Sequence, residues 1–219
     1  KATKVSLKEN SSLLKNVSKE RIRCELDKIL LSEVPSKGIR LLVETDLIDS
    51  IIPELKESVG FCQYNPHHDK DVFEHIMTAL DNTEGDLILR LSALLHDVAK
   101  PRCFFMDENN IGHFKGHDAK GPEMIEGILK KLKYDKDTIN SVIKLVSEHM
   151  IRINDISLKG VKRLINRIGI DNFHRLIKLF IADTTGGKPP HDFTKIKEIE
   201  NMGLKTIRDK EPLSIKDLN

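Results

Sequence analysis

Six side chains that can bind a metal ion lie in five separate segments of this chain, and they constrain its fold more than any other feature. They are His75, the adjacent pair His96-Asp97, His117, His149 and Asp183. Imidazoles and carboxylates from five segments can bind a common centre only if those segments pack around it. Because the set contains no thiolate, it indicates hydrolytic or oxygen chemistry rather than a structural zinc site.

Three of these side chains continue the apolar stripe of a predicted helix. His75 lies three residues after Val72, and His149 lies three residues after Val146. Residues three and four positions apart share one face of a helix, so both imidazoles are predicted to point into the protein. Asp183 follows an apolar residue, phenylalanine, at the same spacing. The pattern therefore predicts inward-facing ligands on helices.

The pair His96-Asp97 interrupts the most hydrophobic segment of the chain, a helix predicted over residues 86–98. Burying an unpaired Asp there would be costly, and a bound metal ion would offset that cost. Simpler interpretations exist for each residue. A single inward histidine is more often a hydrogen-bonded core residue, Asp183 could pair with Arg175, and Lys100 could be a solvated cation at a helix end. The ordered set as a whole is hard to obtain from packing alone.

The composition favours an all-α fold. The chain has 219 residues, 39% hydrophobic and 32% charged, with few Gly, Pro and aromatic residues. This length allows one large domain or two small ones. No apolar run approaches membrane length, and the net charge of +2 neither supports nor excludes RNA binding. The three cysteines form no C-x-x-C pair, which is typical of the reducing cytosol, so we expect a cytoplasmic protein.

Helix breakers divide the chain into three predicted regions. Gly60 ends the first, and the pairs Gly186-Gly187 and Pro189-Pro190 end the second. We therefore expect a helical bundle made of an N-terminal helical neck, a metal-binding domain, and a C-terminal linker and helix, over residues 1–60, 61–186 and 187–219.

Two local predictions concern segments beside these helices. Residues 1–18 are polar and are predicted to be loosely ordered, before Ser18 caps a helix that Pro35 and Gly38 end. Residues 101–116 contain a turn signal, Asp107-Glu108-Asn109-Asn110, and are predicted to form a small hairpin or a loop.

Five short motifs surround the six candidate ligands. They are Val72-Phe73-Glu74-His75, Leu94-Leu95-His96-Asp97-Val98-Ala99-Lys100, Gly116-His117-Asp118, Glu148-His149 and Ala182-Asp183. Together these motifs resemble the HD superfamily of metal-dependent phosphohydrolases, whose fold is a bundle of helices. The resemblance implies a first metal ion on His75, His96, Asp97 and Asp183. It implies a second ion on His117 and His149, with Asp97 bridging the two.

The chemistry implied by this resemblance is metal-dependent hydrolysis of a phosphate ester. We expect one or two divalent ions: the ligand set suits Fe, Mn, Ni, Co or Zn better than Ca, and Mg is a further candidate. Asp97, Lys100 and His117 are the predicted catalytic residues. Lys100 would contact the phosphate, and His117 or His113 would protonate the leaving oxygen. The predicted substrate contacts are Lys100, His113 and Arg163.

Other stretches resemble one branch of this superfamily. They comprise residues 18–30, Ile52-Pro53-Glu54-Leu55, the loop Asn65-Pro66-His67-His68, and residues 112–118 and 212–218. These stretches are similar to bacterial tRNA nucleotidyltransferases, the CCA-adding enzymes and their poly(A) polymerase relatives. Nucleotide addition in that family needs a head domain with a Gly-Ser motif and paired Asp residues on a sheet, and this sequence supplies neither. We therefore expect the HD-containing C-terminal portion of such an enzyme, without its head domain.

The sequence leaves three functions open. The first is a phosphohydrolase acting on a phosphomonoester or a 2′,3′-cyclic phosphodiester, such as an RNA 3′ end. The second is a tRNA-binding body with no catalysis of its own, whose footprint would use the cationic residues Lys130, Lys131, Lys133, Lys159, Lys162, Arg163, Arg167, Arg175 and Lys178. The third is a metal that only stabilises the bundle. No membrane partner is expected.

Overall fold

The described residues fold mainly into helices, with one small hairpin beside the predicted metal ligands. The structure, a computed structural model, describes residues 2–64, 70–151 and 156–208. In chain order its helices are α1 (Ala2–Glu9), α2 (Lys19–Leu30), α3 (Pro35–Glu44), α4 (Ile48–Ile51), α5 (Pro53–Lys56), α6 (Val72–Asp81), α7 (Leu87–Leu95), α8 (His117–Lys131), α9 (Lys136–Glu148), α10 (Leu158–Ile168), α11 (Ile170–Gly186) and α12 (Thr194–Arg208). Two 3₁₀ helices span Ser11–Asn16 and Lys100–Cys103, and the hairpin pairs β1 (Phe105–Met106) with β2 (Gly112–His113). The predicted all-α bundle is confirmed.

The start of the chain differs from the prediction, because helix formation begins almost at once with α1 and the first 3₁₀ helix. The polar side chains that suggested loose order instead form ion pairs with the end of α3. Lys4 pairs with Glu44, and Lys8 lies 3.1 Å from Asp46. These partners are about 40 residues away in sequence, so the sequence pattern of the segment alone could not reveal them.

The helical neck depends on a close approach between α2 and α3. Ser18 caps α2 as predicted, its side chain accepting a hydrogen bond from the Arg21 amide. Pro35 and Gly38 do not end a helix together: Pro35 is the first residue of α3, and Gly38 lies inside it. A Cβ at position 38 would meet Cγ2 of Ile29 at 2.4 Å. Gly38 therefore lets the two helices pack in contact.

Helix α7 is the centre of the bundle, and it packs against α2, α6, α9 and α11. Its last seven residues are all buried, which explains the nearly continuous apolar sequence. Asp71 and Asp86 cap α6 and α7, each accepting a hydrogen bond from an amide three residues further on. The caps fix where each helix begins, and hence which of its residues face the predicted metal centre.

A buried arginine ties the neck to this centre. Arg90 of α7 is 5% exposed, and its guanidinium donates to backbone carbonyls of Leu30 and Ser32 in the neck. It also donates to the carbonyls of Thr83 and Glu84, before α7. Since a buried guanidinium is tolerated only when its donors are used, these bonds hold the neck in one position against α7.

The last described helix, α12, packs on α10 and α11 through buried Ile196 and Ile199. The predicted division into regions 1–60, 61–186 and 187–219 stays a prediction. Residues 212–218, part of the sequence resemblance, lie outside the described residues. Within the described part of the chain, the helices are too short or too polar for a membrane span.

Candidate metal centre

The ends of three helices and the faces of two others bring the six predicted ligands together. His96 is the residue that ends α7, and Asp97 follows it in a turn, so the pair stands after the apolar helix rather than within it. His117 is the first residue of α8, and His149 ends α9. The other two ligands lie on helix faces: His75 on α6 and Asp183 in the last turns of α11.

The first group of ligands consists of His75, His96, Asp97 and Asp183. Nε2 of His75 lies 3.3 Å from Oδ2 of Asp97 and 2.9 Å from Oδ1 of Asp183. Nε2 of His96 lies 3.2 and 3.4 Å from the same two oxygens, and 3.2 Å from Nε2 of His75. Two ligands about 2.1 Å from one ion are about 3.0 Å apart at a right angle and about 3.4 Å apart at the tetrahedral angle. The observed separations match that range, so this group fits a single transition-metal ion.

The second group shares Asp97 with the first and adds His117 and His149. Oδ1 of Asp97 lies 3.8 Å from Nε2 of His117 and 3.9 Å from Nε2 of His149. Both of these nitrogens are buried and lack a hydrogen-bond partner among the described residues. Buried polar atoms are normally satisfied, so two imidazole nitrogens turned toward one carboxylate oxygen fit a second cation. Asp97, with one oxygen toward each group, would bridge the two ions.

Backbone carbonyls set the tautomer of three histidines. Nδ1 of His96, His117 and His149 lies 2.8, 2.7 and 2.5 Å from the carbonyl oxygen three residues earlier in each case. A carbonyl only accepts, so each Nδ1 carries a proton, and in the neutral ring the lone pair is on Nε2. This arrangement is typical of histidines that bind a metal through Nε2.

The electrostatics of the site favour a cation at the first group. Burial alone would lower the pKa of His96, but the nearby carboxylates of Asp97 and Asp183 outweigh it and raise that pKa to about 10. The same contacts raise the pKa of His75 despite its burial. Although burial opposes ionisation of both carboxyls, the facing imidazoles, and for Asp97 also Lys100, hold their pKa values well below the usual range. Without a metal, protonated imidazoles supply the positive charge that the carboxylates require.

The second group behaves differently. Burial, together with the positive charge of His96, lowers the pKa of His149 to about 4. His149 therefore stays neutral at physiological pH, which is the protonation state that a metal ligand needs.

An open pocket of about 630 Å³ leads from these ligands to the surface. Its wall includes Asp97, Asp183, Lys100, His117 and His149. The ammonium of Lys100, only 7% exposed, lies 2.7 Å from Oδ2 of Asp97. Lys100 is therefore not a solvated cation at a helix end. Its ammonium is held inside the pocket beside the carboxylate of Asp97, which both ligand groups share.

Gln63 is a residue at this site that sequence reasoning missed. Its Oε1 accepts a hydrogen bond of 3.1 Å from Lys100, and the ammonium also lies over the ring of Phe114. Gln63 is 37 residues before Lys100 in sequence and belongs to no helix. Since neither periodicity nor spacing marks such a partner, the sequence carries no signal that would have found it.

Of the two other predicted substrate contacts, one lies in the pocket and the other does not. His113, on the hairpin, lines the pocket. Arg163 is exposed on α10 and is absent from the described residues that line the pocket, so the geometry does not place this guanidinium at the metal centre. The loop containing His67 and His68 lies outside the described residues.

Comparisons with known proteins agree with this site. The HD domain family model matches residues 70–180, which hold five of the six ligands, and the chain belongs to this family. A second family model, the probable RNA and SrmB- binding site of polymerase A, matches residues 1–59.

The relatives of this chain are tRNA nucleotidyltransferases. It is 35% identical over 177 residues to the A-adding tRNA nucleotidyltransferase of Deinococcus radiodurans, an alignment that covers 78% of this chain and 40% of the relative. It is 34% identical over 173 residues to the CC-adding tRNA nucleotidyltransferase of Thermus thermophilus, covering 76% of this chain and 39% of that protein. The multifunctional CCA protein of Pasteurella multocida is 26% identical over 192 residues, with coverages of 80% and 45%. The chain thus spans less than half the length of these relatives.

Proposed function

We propose that this chain is a metal-dependent phosphohydrolase that acts on a phosphomonoester or a 2′,3′-cyclic phosphodiester. One observation carries the proposal. The imidazole nitrogens of His75 and His96 lie 2.9–3.4 Å from each other and from one oxygen each of Asp97 and Asp183. Asp97 also faces two further buried imidazoles, and the site opens into a pocket that contains Lys100. A structural metal site is normally closed by protein ligands, whereas a catalytic site keeps access for water and substrate. The open pocket therefore favours catalysis over a purely stabilising ion.

The residues of the chain divide the task between them. His75, His96, Asp97 and Asp183 would hold one ion, and His117 and His149 with Asp97 would hold another. Bound divalent ions lower the pKa of a water molecule and offset the negative charge of phosphate. Lys100, fixed by Gln63 and Asp97, presents its ammonium to phosphate oxygens in the pocket. The burial of the ligands keeps water away from all but the open side.

The test combines metal analysis with an activity assay. The purified chain is stripped of metal, reloaded with Mn²⁺, Fe²⁺, Co²⁺, Ni²⁺ or Zn²⁺, and assayed with bis(p-nitrophenyl) phosphate, p-nitrophenyl phosphate and a nucleoside 2′,3′-cyclic phosphate. Asp97→Ala should lose both metal binding and hydrolysis, because both ligand groups use this carboxylate.

Asp171→Ala is the matched control, since it removes an exposed carboxylate from the first turn of α11. Full activity of Asp97→Ala, or a loaded wild-type chain that hydrolyses none of the three esters, would contradict the proposal.

A second candidate function is RNA binding, and the match of residues 1–59 to an RNA-binding family model favours it. Here the chain would be the tRNA-holding body of a longer nucleotidyltransferase whose head domain lies in another part of the protein, working in the cytoplasm. Several cations of the predicted footprint are already neutralised: Arg167 pairs with Glu148, Arg175 with Asp86, Lys178 with Glu84, and Lys130 with Glu126. The footprint is therefore weaker than the sequence suggested.

Filter binding of tRNA to the chain over a range of salt concentrations tests this second function. Contacts to phosphates make the affinity fall steeply with salt, with a slope that reports how many phosphates are neutralised. Arg163→Gln should reduce that slope by about one if its guanidinium contacts a phosphate. Affinity that does not depend on salt would exclude this role for the chain.

A further inference from the structure

One histidine of the pocket wall, His113, belongs to neither metal ligand group and is paired with a carboxylate behind it. His113 and Asp107 lie on the hairpin formed by β1 and β2, and Nε2 of His113 lies 2.7 Å from Oδ2 of Asp107. The His113 ring also stacks on Phe105, with centroids 5.2 Å apart and planes at 24°. A hydrogen bond and a stacked ring together hold this imidazole in one orientation in the wall of the pocket.

Asp107 is itself fixed by the turn of the hairpin. Its Oδ1 accepts hydrogen bonds from the amides of Asn109 and Ile111, at 2.9 and 3.0 Å. The hydrogen bond from His113 and these amides lower the pKa of Asp107, so this carboxyl is ionised and can only accept. Nε2 of His113 must therefore carry a proton. The other ring nitrogen, Nδ1, makes no hydrogen bond to the described residues.

The alternative proton donor of the pocket, His117, is engaged elsewhere. Its Nδ1 donates to the carbonyl of Phe114, and its Nε2 faces Asp97 and the second ligand group. With the second ion bound at Nε2, this ring would have no nitrogen left to donate to a leaving oxygen. Of the two histidines considered for proton donation, His113 alone keeps a ring nitrogen available.

We propose that His113 is the general acid of the pocket, donating its Nδ1 proton to the leaving oxygen, and that Asp107 is the residue that positions it. This inference rests on the proposed phosphohydrolase function and adds to it the proton donor and the class of leaving group. The preferred substrates are esters whose leaving group is an alkoxide, such as a ribose oxygen, because only a poor leaving group needs a proton in the transition state.

The step is balanced without a further reactant. A water oxygen forms a bond to phosphorus and gives one proton to solvent. The bond from phosphorus to the ester oxygen breaks, and its electron pair stays on that oxygen, which takes the proton from Nδ1 of His113. The ring is left neutral, with Nε2–H still donating to Asp107, and solvent returns the proton to Nδ1.

A pair of substrates with different leaving groups tests the proposal. Bis(p-nitrophenyl) phosphate releases a stable phenolate that needs no proton, whereas a nucleoside 2′,3′-cyclic phosphate releases an alkoxide. His113→Ala should lower kcat for the cyclic nucleotide by roughly 100-fold or more, and kcat for the nitrophenyl ester by only a few-fold. His113→Gln should show the same selectivity, because an amide fills the space but transfers no proton.

Asp107→Asn tests the positioning role. It should lower kcat for the cyclic nucleotide by roughly 10-fold and leave the nitrophenyl ester nearly unchanged, with little change in KM. Glu108→Gln is the matched control, since it makes the same carboxylate-to-amide change at an exposed residue of the same turn and should leave both substrates unchanged. In the metal-free chain, ¹⁵N NMR at a pH where the His113 ring is neutral should show its proton on Nε2, and Asp107→Asn should reduce that preference.

Each outcome decides one part of the proposal. If the loaded wild-type chain hydrolyses neither ester, the phosphohydrolase function fails and the acid assignment with it. If the wild type is active and His113→Ala lowers both rates equally, or neither, the acid assignment alone is overturned. If Asp107→Asn behaves as Glu108→Gln, or if the neutral His113 ring is protonated at Nδ1, the positioning role of Asp107 is overturned.

Discussion

A single methyl group added at position 186 should disturb the first metal site from behind. Gly186 is the last residue of α11 and backs the ring of His75. An ideal Cβ there would lie 2.8 Å from Nδ1 and 2.9 Å from Cε1 of His75, whereas ordinary contact begins at 3.4 Å. In Gly186→Ala the ring must therefore move by the difference of about 0.6 Å, or α11 must move instead.

The size of that movement sets the expected effect. Bonds between a metal and its ligands tolerate deviations of about 0.2 Å, so a displacement of about 0.6 Å takes Nε2 of His75 out of range. Changes to residues that support a ligand typically weaken metal binding by roughly 10- to 100-fold, and we expect this loss for the first ion. Stability is a poorer measure, because overpacking costs about 1–3 kcal/mol while replacing Gly by Ala in a helix returns about 0.5–1 kcal/mol.

Calorimetric titration of the metal-free chain with Mn²⁺ or Zn²⁺ measures this effect, with elemental analysis to count the ions retained after dialysis. Gly127→Ala is the control, because the same substitution in α8 meets open space and should leave affinity unchanged while slightly raising the free energy of unfolding. If Gly186→Ala binds both ions with the affinity of Gly127→Ala, the proposed role of α11 in fixing His75 is refuted.

Three further substitutions test the site and the bundle. His149→Ala should remove the second ion and spare the first, so that elemental analysis finds one ion fewer per chain; loss of both ions would refute the division into two groups. Arg90→Met removes the donor to four backbone carbonyls, two of them in buried contacts, and should lower the free energy of unfolding in urea by roughly 2–5 kcal/mol, whereas Arg21→Met, at an exposed position, should change it little. Burial and the hydrogen bond to Asp27 raise the pKa of Tyr134 above its usual value of 10.0. Because this contribution to stability is present below that pH and lost above it, stability should fall as the pH rises past about 10, and Tyr134→Phe should remove this part of the pH dependence and cost about 1 kcal/mol at neutral pH.

The parts of the fold that the sequence predicted correctly depend on short-range signals. The apolar stripes of α6 and α9 marked the inward faces of His75 and His149, and Ser18 marked the start of α2. Such signals act over three or four residues, so a single sequence contains them in full. They were sufficient for the helices that carry the ligands, and the structure brings the six predicted ligands into two groups that share Asp97.

The features that the sequence did not reveal depend on contacts between distant segments. Lys100 is held by Gln63 from a stretch outside any helix, and His113 is oriented by Asp107 only because the hairpin forms. The cationic footprint also lost strength when the fold supplied acidic partners, as with Arg167 and Glu148, which come from different helices. Spacing along the chain carries no information about such partners, because tertiary packing decides which charged groups meet.

The position of Asp97 explains why the two ligand groups form one site. This residue follows directly after the most buried helix of the bundle and is itself 1% exposed. A carboxylate in such a place is stable only if it is paired with positive charge or binds a metal. Oδ2 faces His75, His96 and Lys100, and Oδ1 faces the second group. If the helices that end beside this carboxylate moved apart, the carboxylate would lose the charged partners that compensate for its burial. The same burial that makes Asp97 costly without a partner would therefore make it an effective bridge between two cations, and in the proposed function the open side of the pocket is where a phosphate would meet that charge.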